Sequence, residues 1–78
     1  MGISVEIFWD KARGDFWSIK IYKDGGLIRY DRLGSGPLEV DDTNPDLTDE
    51  ELIEAAREQQ GWLGIEFSRN VITIIRDF

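Results

Sequence analysis

Alternating apolar and polar side chains dominate the first part of the chain and constrain its fold more than any other sequence feature. Within residues 3–9 and again within residues 15–23, large apolar side chains occupy every second position. Because successive side chains of a strand point to opposite faces of a sheet, both stretches predict β-strands. The apolar positions expected to face the core are Ile3, Val5, Ile7, Trp9, Trp17, Ile19 and Ile21.

Turn signals separate these strands from each other and from a third one. Residues 10–14 form a polar turn, and the run Asp24-Gly25-Gly26 is typical of a hairpin, because glycine adopts a positive φ without a clash. Residues 27–33 then predict another strand. Three strands joined by short turns are expected to form an antiparallel meander.

A helix is predicted over residues 49–60 by signals at both of its ends. Thr48 and Glu51 have the spacing of a capping box, and Gly61 stands where helices commonly end. The stripe expected to face the sheet consists of Leu52, Ala55, Ala56 and Gln59.

The complete prediction is one small α+β domain over residues 1–78. Residues 65–67 and 71–75 predict two last strands, which makes the order of elements β-β-β-α-β-β. We expect an antiparallel sheet with one helix packed on one face, and we assign the more apolar face, that of Trp17, to the core.

The composition excludes most enzyme chemistry. The chain has no cysteine and no histidine, so it lacks the best nucleophile, the commonest general base and the usual zinc ligands. Residues 41–46 are rich in aspartate, but the twelfth position of an EF-hand loop that starts at Asp41 or Asp42 is Leu52 or Ile53, and the glutamate required there is missing. We therefore predict no catalytic residue, no cofactor and no metal site. No apolar run approaches about 20 residues, so we expect a soluble, cytoplasmic protein with no membrane partner.

Negative charge is concentrated in one part of the chain. The formal net charge is −7, and residues 39–58 contain nine acidic residues with Arg57 as the only base. Two interpretations of this acidic segment stay open: an ordinary solvated face that also suits the helix macrodipole, or a docking surface for a basic partner. The candidate partner-binding residues are Glu39, Asp41, Asp42, Asp46, Asp49, Glu50, Glu51, Glu54 and Glu58.

A second candidate surface lies on the sheet face opposite the predicted core. Phe8, Phe16 and Tyr22 are expected to form an aromatic row there. Aromatic rows on open sheets can stack nucleic-acid bases, but the supporting basic field is largely missing from this acidic chain. We expect no direct nucleic-acid binding, and favour a cross-strand aromatic cluster or a homodimer interface.

The motif Gly14-x-Phe16-Trp17-x-Ile19, followed by a capped helix that contains Glu-Ala-Ala at 54–56, resembles small bacterial domains such as HicB-like antitoxins. The resemblance covers residues 14–60 and implies a meander with a helix, but it assigns no functional residue. In size and charge the chain is also similar to small phage-encoded inhibitors, including anti-CRISPR proteins.

Two functional hypotheses follow. In the first, the protein is a non-enzymatic inhibitor or adaptor whose acidic segment docks on a basic, nucleic-acid-handling protein and competes there with nucleic acid. In the second, it is a self-associating structural or regulatory module that pairs through its aromatic sheet face or an edge strand.

Overall fold

The computed structural model describes residues 2–34 and 40–78. The strands are β1 (Ile3–Asp10), β2 (Phe16–Lys23), β3 (Gly26–Arg32) and β4 (Ile72–Ile75). The helix α1 covers Asp49–Trp62, and a short 3-10 turn at Arg69–Val71 precedes β4. The described strands form one four-stranded sheet in the order β3-β2-β1-β4, so the predicted α+β class with one helix is confirmed.

The predicted antiparallel sheet is wrong for its last strand. β1, β2 and β3 form the expected antiparallel meander, but β4 pairs in parallel with β1, from Val5 opposite Ile72 to Phe8 opposite Ile75. A parallel pair needs a long crossover connection, which α1 supplies here. The helix carries the chain back across the sheet, so that β4 runs in the same direction as β1. The sheet is therefore mixed.

The predicted strand at residues 65–67 does not form, so the observed order is β-β-β-α-β. Ile65 and Phe67 are half-buried against the core, which explains their apolar alternation without any strand pairing. The helix also continues through Gly61, and the chain turns only at Gly64, where φ is +81°. The amide of Ile65 donates to the carbonyl of Gln60 at 2.8 Å and closes the end of the helix.

The core lies between α1 and the face of the sheet that the alternation predicted. Trp17, Ile19 and Ile21 are fully buried there, and the predicted helix stripe is buried against them. The indole Nε1 of Trp17 donates to the carbonyl oxygen of Asn44 at 2.8 Å, which ties the loop before the helix to the sheet.

The predicted capping box is confirmed at the start of α1. The hydroxyl of Thr48 accepts from the Glu51 amide at 3.2 Å, and the Thr48 amide donates to the Glu51 carboxylate at 3.0 Å. Two backbone donors at the helix N-terminus are thereby satisfied. Over the part of the chain that the structure describes, no helix is long and apolar enough to cross a membrane.

Candidate functional site

The structure separates the acidic segment into groups with different surroundings. Asp42 is buried, and both of its carboxylate oxygens accept hydrogen bonds from the Arg32 guanidinium, while the Gly34 amide donates to Oδ2 at 3.3 Å. This residue holds the loop before α1 against the end of β3. It presents no free carboxylate to a partner. Glu39 lies outside the described residues.

Two acids in the first turn of α1 are paired with arginines from the chain after the helix. Glu50 is bonded to Arg69, and Asp49 is bonded to Arg76, whose Nη2 also donates to the carbonyl of Leu47 at 2.9 Å. These arginines are 19 and 27 positions away in sequence, so the pairing depends on how the chain returns to the sheet. The pairs reduce the negative charge at the start of the helix.

Asp41 and Glu51 are tied to neighbouring groups. The Oδ1 atom of Asp41 accepts from the Thr43 hydroxyl at 2.6 Å and from the Thr43 amide at 3.1 Å. The hydrogen bond from the hydroxyl is the main cause that lowers the pKa of Asp41. The hydrogen bond from the Thr48 amide lowers the pKa of Glu51 in the same way. Both carboxylates therefore stabilise the local backbone conformation.

The remaining acids of the segment are Asp46, Glu54 and Glu58, and all three are exposed. Within residues 2–34 and 40–78, their carboxylates form no ion pair and no hydrogen bond. Glu54 and Glu58 lie one turn apart on α1. The acidic surface that remains unneutralised is thus narrower than the sequence predicted, and Glu54 and Glu58 place most of it at the middle of the helix.

A groove of about 920 Å³ runs beside this part of the helix, between α1 and residues 65–69. We call it the acidic groove: Glu54, Glu58 and Glu66 stand on its rim, and the half-buried side chains of Ile53, Ile65 and Phe67 form its apolar floor. Glu50, Arg57 and Arg69 also line it. Its carboxylates outnumber its guanidinium groups by four to two. Sequence reasoning missed this groove because it placed residues 65–67 in a strand.

The aromatic surface lies on the open face of the sheet, opposite the helix, but its members do not form one row. Phe16 is buried beneath the guanidinium groups of Arg13 and Arg32, whose Cζ atoms lie 5.5 and 4.2 Å from the ring centroid. Phe8 has the Lys20 ammonium 5.0 Å from its centroid. The Tyr22 hydroxyl donates to Glu6 at 3.3 Å.

Tyr30, which the sequence prediction did not include, is the centre of this face. Its ring centroid lies 6.0 Å from that of Phe8, 4.3 Å from Cζ of Arg13 and 5.0 Å from Nζ of Lys20. Its hydroxyl donates to the buried carboxylate of Asp10. Cations of the chain itself thus cover the ring faces, which leaves little room for stacked bases.

Asp10 is 3% exposed, and its surroundings keep it ionised. Burial by itself raises the pKa of the Asp10 carboxyl. Hydrogen bonds, above all the one from the Tyr30 hydroxyl, lower the pKa by a larger amount, so that it lies below the ordinary value of 3.8. For Asp31, burial acts in the same direction and hydrogen bonds from Arg29 and Gln60 lower the pKa below its ordinary value. The hydrogen bond to Asp10 in turn raises the pKa of Tyr30.

These shifts predict a loss of stability in acid. Asp10 and Asp31 have lower pKa values in the folded chain than in the unfolded chain, so the unfolded chain binds more protons in this range. Their stabilising contribution is fully present above the ordinary pKa of 3.8 and is lost as the pH falls through the folded values. We expect the free energy of unfolding, measured with urea between about pH 7 and pH 3, to decrease below about pH 5.

The variant Asp10→Asn serves as the control, because it removes one of the shifted carboxyl groups. The asparagine side-chain oxygen can still accept the hydrogen bond from the Tyr30 hydroxyl. The unfolding free energy of this variant is expected to depend less steeply on pH than that of the original chain. Equal slopes in the two proteins would contradict the assignment of acid sensitivity to Asp10.

Comparison of the chain with models of protein families, with curated proteins and with solved structures found no match. Among the residues that the structure describes, no three acidic side chains are grouped closely enough to hold a metal ion. Function is therefore inferred from the geometry and charge of the described residues alone.

Proposed function

We propose that the protein is a non-enzymatic binding module, an inhibitor or adaptor, that docks its acidic groove on a basic protein surface. One observation carries the proposal: Glu54 and Glu58 are exposed and without an ion pair among the described residues, and they stand directly beside an apolar floor. The combination of uncompensated charge with accessible apolar surface is typical of a recognition surface.

The spacing of the two glutamates supports this proposal. Like charges four residues apart on a helix destabilise it by about 0.2–0.5 kcal/mol, and nearby arginines could have offset this effect. Arg69 instead pairs with Glu50, one turn before Glu54. A partner that supplies lysine or arginine side chains would relieve the repulsion, and the opposite charge would raise the association rate at low salt.

The groove floor supports a protein partner over a simple polycation. Ile53, Ile65 and Phe67 offer apolar contacts to a side chain inserted between the acidic rims. Charge steers the encounter, whereas a buried apolar anchor gives most of the binding energy in protein interfaces. The partner class we propose is a nucleic-acid-handling protein, because such proteins expose clustered basic groups. The acidic groove and nucleic acid would then compete for the same basic surface of the partner.

The test compares two variants with the same change in net charge. Glu54→Gln with Glu58→Gln removes two carboxylates from the acidic groove, and Asp15→Asn with Asp77→Asn removes two exposed carboxylates elsewhere. Asparagine suits position 15, where φ is +62°. We expect the groove variant to associate with a partner captured from cell lysate about tenfold more slowly at low salt, as measured by biolayer interferometry with the purified partner.

The control variant is expected to associate at close to the original rate. Duplex DNA or RNA added in excess should release the partner if the groove occupies a nucleic-acid-binding surface. Equal rates for the groove variant and the control variant would show that the glutamates form an ordinary solvated face. If nucleic acid does not displace the partner, competition with nucleic acid is excluded and the protein would act as an adaptor.

A further inference from the structure

β3 is an edge strand, and its outer side meets no other strand in the described parts of the chain. Three large apolar side chains on it are exposed: Leu27 by 50%, Ile28 by 49% and Tyr30 by 37%. An exposed edge with apolar side chains is a template for pairing with another strand. We propose that a second copy of this chain pairs with it, β3 against β3 in antiparallel orientation, to form one continuous sheet across the dimer.

The hydrogen-bond pattern identifies which backbone groups of β3 are available. The Leu33 amide donates towards β2, to the carbonyl of Trp17 at 3.0 Å. Because backbone groups alternate along an antiparallel strand, the N–H and C=O of Asp31 and Arg29 also point towards β2, and those of Tyr30 point away from it. The carbonyl of Arg32 points outward as well, where it accepts a hydrogen bond from the Gln59 side chain at 2.7 Å. The outward N–H and C=O of Tyr30 are therefore the natural centre of a strand pair.

Charge complementarity selects the register. With Tyr30 on the two-fold axis, the two Tyr30 residues exchange hydrogen bonds, and Arg29 of each copy lies opposite Asp31 of the other. A shift that places Arg29 or Asp31 on the axis would set like charges against each other, which destabilises a strand pair. Arg29 and Asp31 already form an ion pair within β3 at 2.8 Å, so pairing would extend that contact into a four-residue network.

The backbone groups of Tyr30 are open to a second copy, whereas the outward carbonyl of Arg32 already accepts a hydrogen bond from the Gln59 side chain. The Tyr30 ring leans inward over β2, because its hydroxyl reaches Asp10 on β1, and it does not block the axis. Gln59 and Gln60 contact Arg32 and Asp31, so the end of α1 lies on the same side of the molecule as β3. Beyond it, Trp62 and Leu63 are 71% and 51% exposed and provide further apolar surface. A bulge lies on β3 itself, because Ile21 is opposite Arg29 and Tyr22 is opposite Leu27, which leaves Ile28 without a partner on β2; this irregularity keeps the regular strand pair short.

The β3 interface shares no residue with the acidic groove. Arg69 and Phe67 of the groove precede β4, which lies at the opposite edge of the sheet from β3. A dimer built through β3 would leave both acidic grooves open. Two grooves on one particle would bind a repeated basic surface more tightly than one, through a raised effective concentration.

The test is sedimentation velocity from about 5 μM to about 1 mM, the range in which a short strand pair is expected to dissociate. The original chain is expected to shift from monomer to dimer. Arg29→Asp should raise the dissociation constant at least about tenfold, because two opposite-charge contacts become like-charge contacts. Arg29→Asp with Asp31→Arg restores complementarity and should restore the dimer. Lys11→Asp, an exposed change of the same charge in the turn between β1 and β2, should leave dimerisation unchanged.

A second measurement uses the original chain alone, so it does not depend on whether the variants fold. In the original chain, protection of the Tyr30 amide from hydrogen exchange should rise with protein concentration. A strict monomer at about 1 mM would overturn the proposal. A dimer that Arg29→Asp leaves intact would equally overturn it, since pairing would then use another surface. The groove variant Glu54→Gln with Glu58→Gln should still dimerise, and Arg29→Asp should still bind a basic partner, so the two proposals fail separately.

Discussion

Trp17→Ala is expected to remove most of the stability of the fold. Trp17 is fully buried, its ring packs edge-to-face on Trp9 and Phe78 with centroids 5.4 and 5.6 Å away, and its Nε1 donates to the carbonyl of Asn44. Truncation of a buried tryptophan to alanine costs about 3–5 kcal/mol, because it removes apolar contacts and leaves a cavity. The lost hydrogen bond also frees the loop that leads into the helix.

The total stability sets the scale of this effect. At about 0.05–0.15 kcal/mol per residue, a chain of 78 residues is stable by about 4–12 kcal/mol, so the substitution should leave little folded protein. Urea unfolding followed by circular dichroism should show a large decrease of the midpoint or no cooperative transition. Trp62→Ala is the matched control, because Trp62 is 71% exposed and should change stability by less than about 0.5 kcal/mol. Similar midpoints for the two variants would contradict the described core.

Leu52→Ala is expected to have the second largest effect, because Leu52 fastens α1 to the sheet. Its side chain is fully buried in the same cluster as Ile7, Trp17 and Ile19. The other buried residues of the helix are alanines and glutamines, so no second large apolar side chain of α1 is buried in the core to compensate. A buried leucine truncated to alanine lowers the free energy of unfolding by about 2–5 kcal/mol.

This second substitution should be measured by urea unfolding together with amide hydrogen exchange. The amides of α1 should lose protection more than those of β1 and β2, because the helix loses its anchor while the central strands keep their ladder. Leu63→Ala, at the exposed end of the helix, should leave the midpoint within the range of an ordinary surface substitution. Equal loss of protection in helix and sheet would mean that the helix does not open separately.

The functional surfaces could be predicted only in part. The sequence indicated that charge is concentrated in the acidic segment and that aromatic side chains share the open sheet face. It could not indicate that Asp42 is buried against Arg32, or that Asp49 and Glu50 are paired, because these contacts depend on packing between distant segments. Tyr30 was missed because β3 has no clear alternation, so its orientation depends on the register with β2.

Local features of this protein were determined by the sequence itself. The faces of β1 and β2, the hairpin at Asp24 and the capping box at Thr48 follow from side-chain spacing within a few residues, and each is present in the structure. Tertiary structure alone decided the parallel pairing of β4 with β1, the absence of a strand at residues 65–67 and the position of the acidic groove. The reason is physical: the direction in which α1 returns the chain decides which strand edge and which charges the last residues meet, and no local pattern encodes that direction.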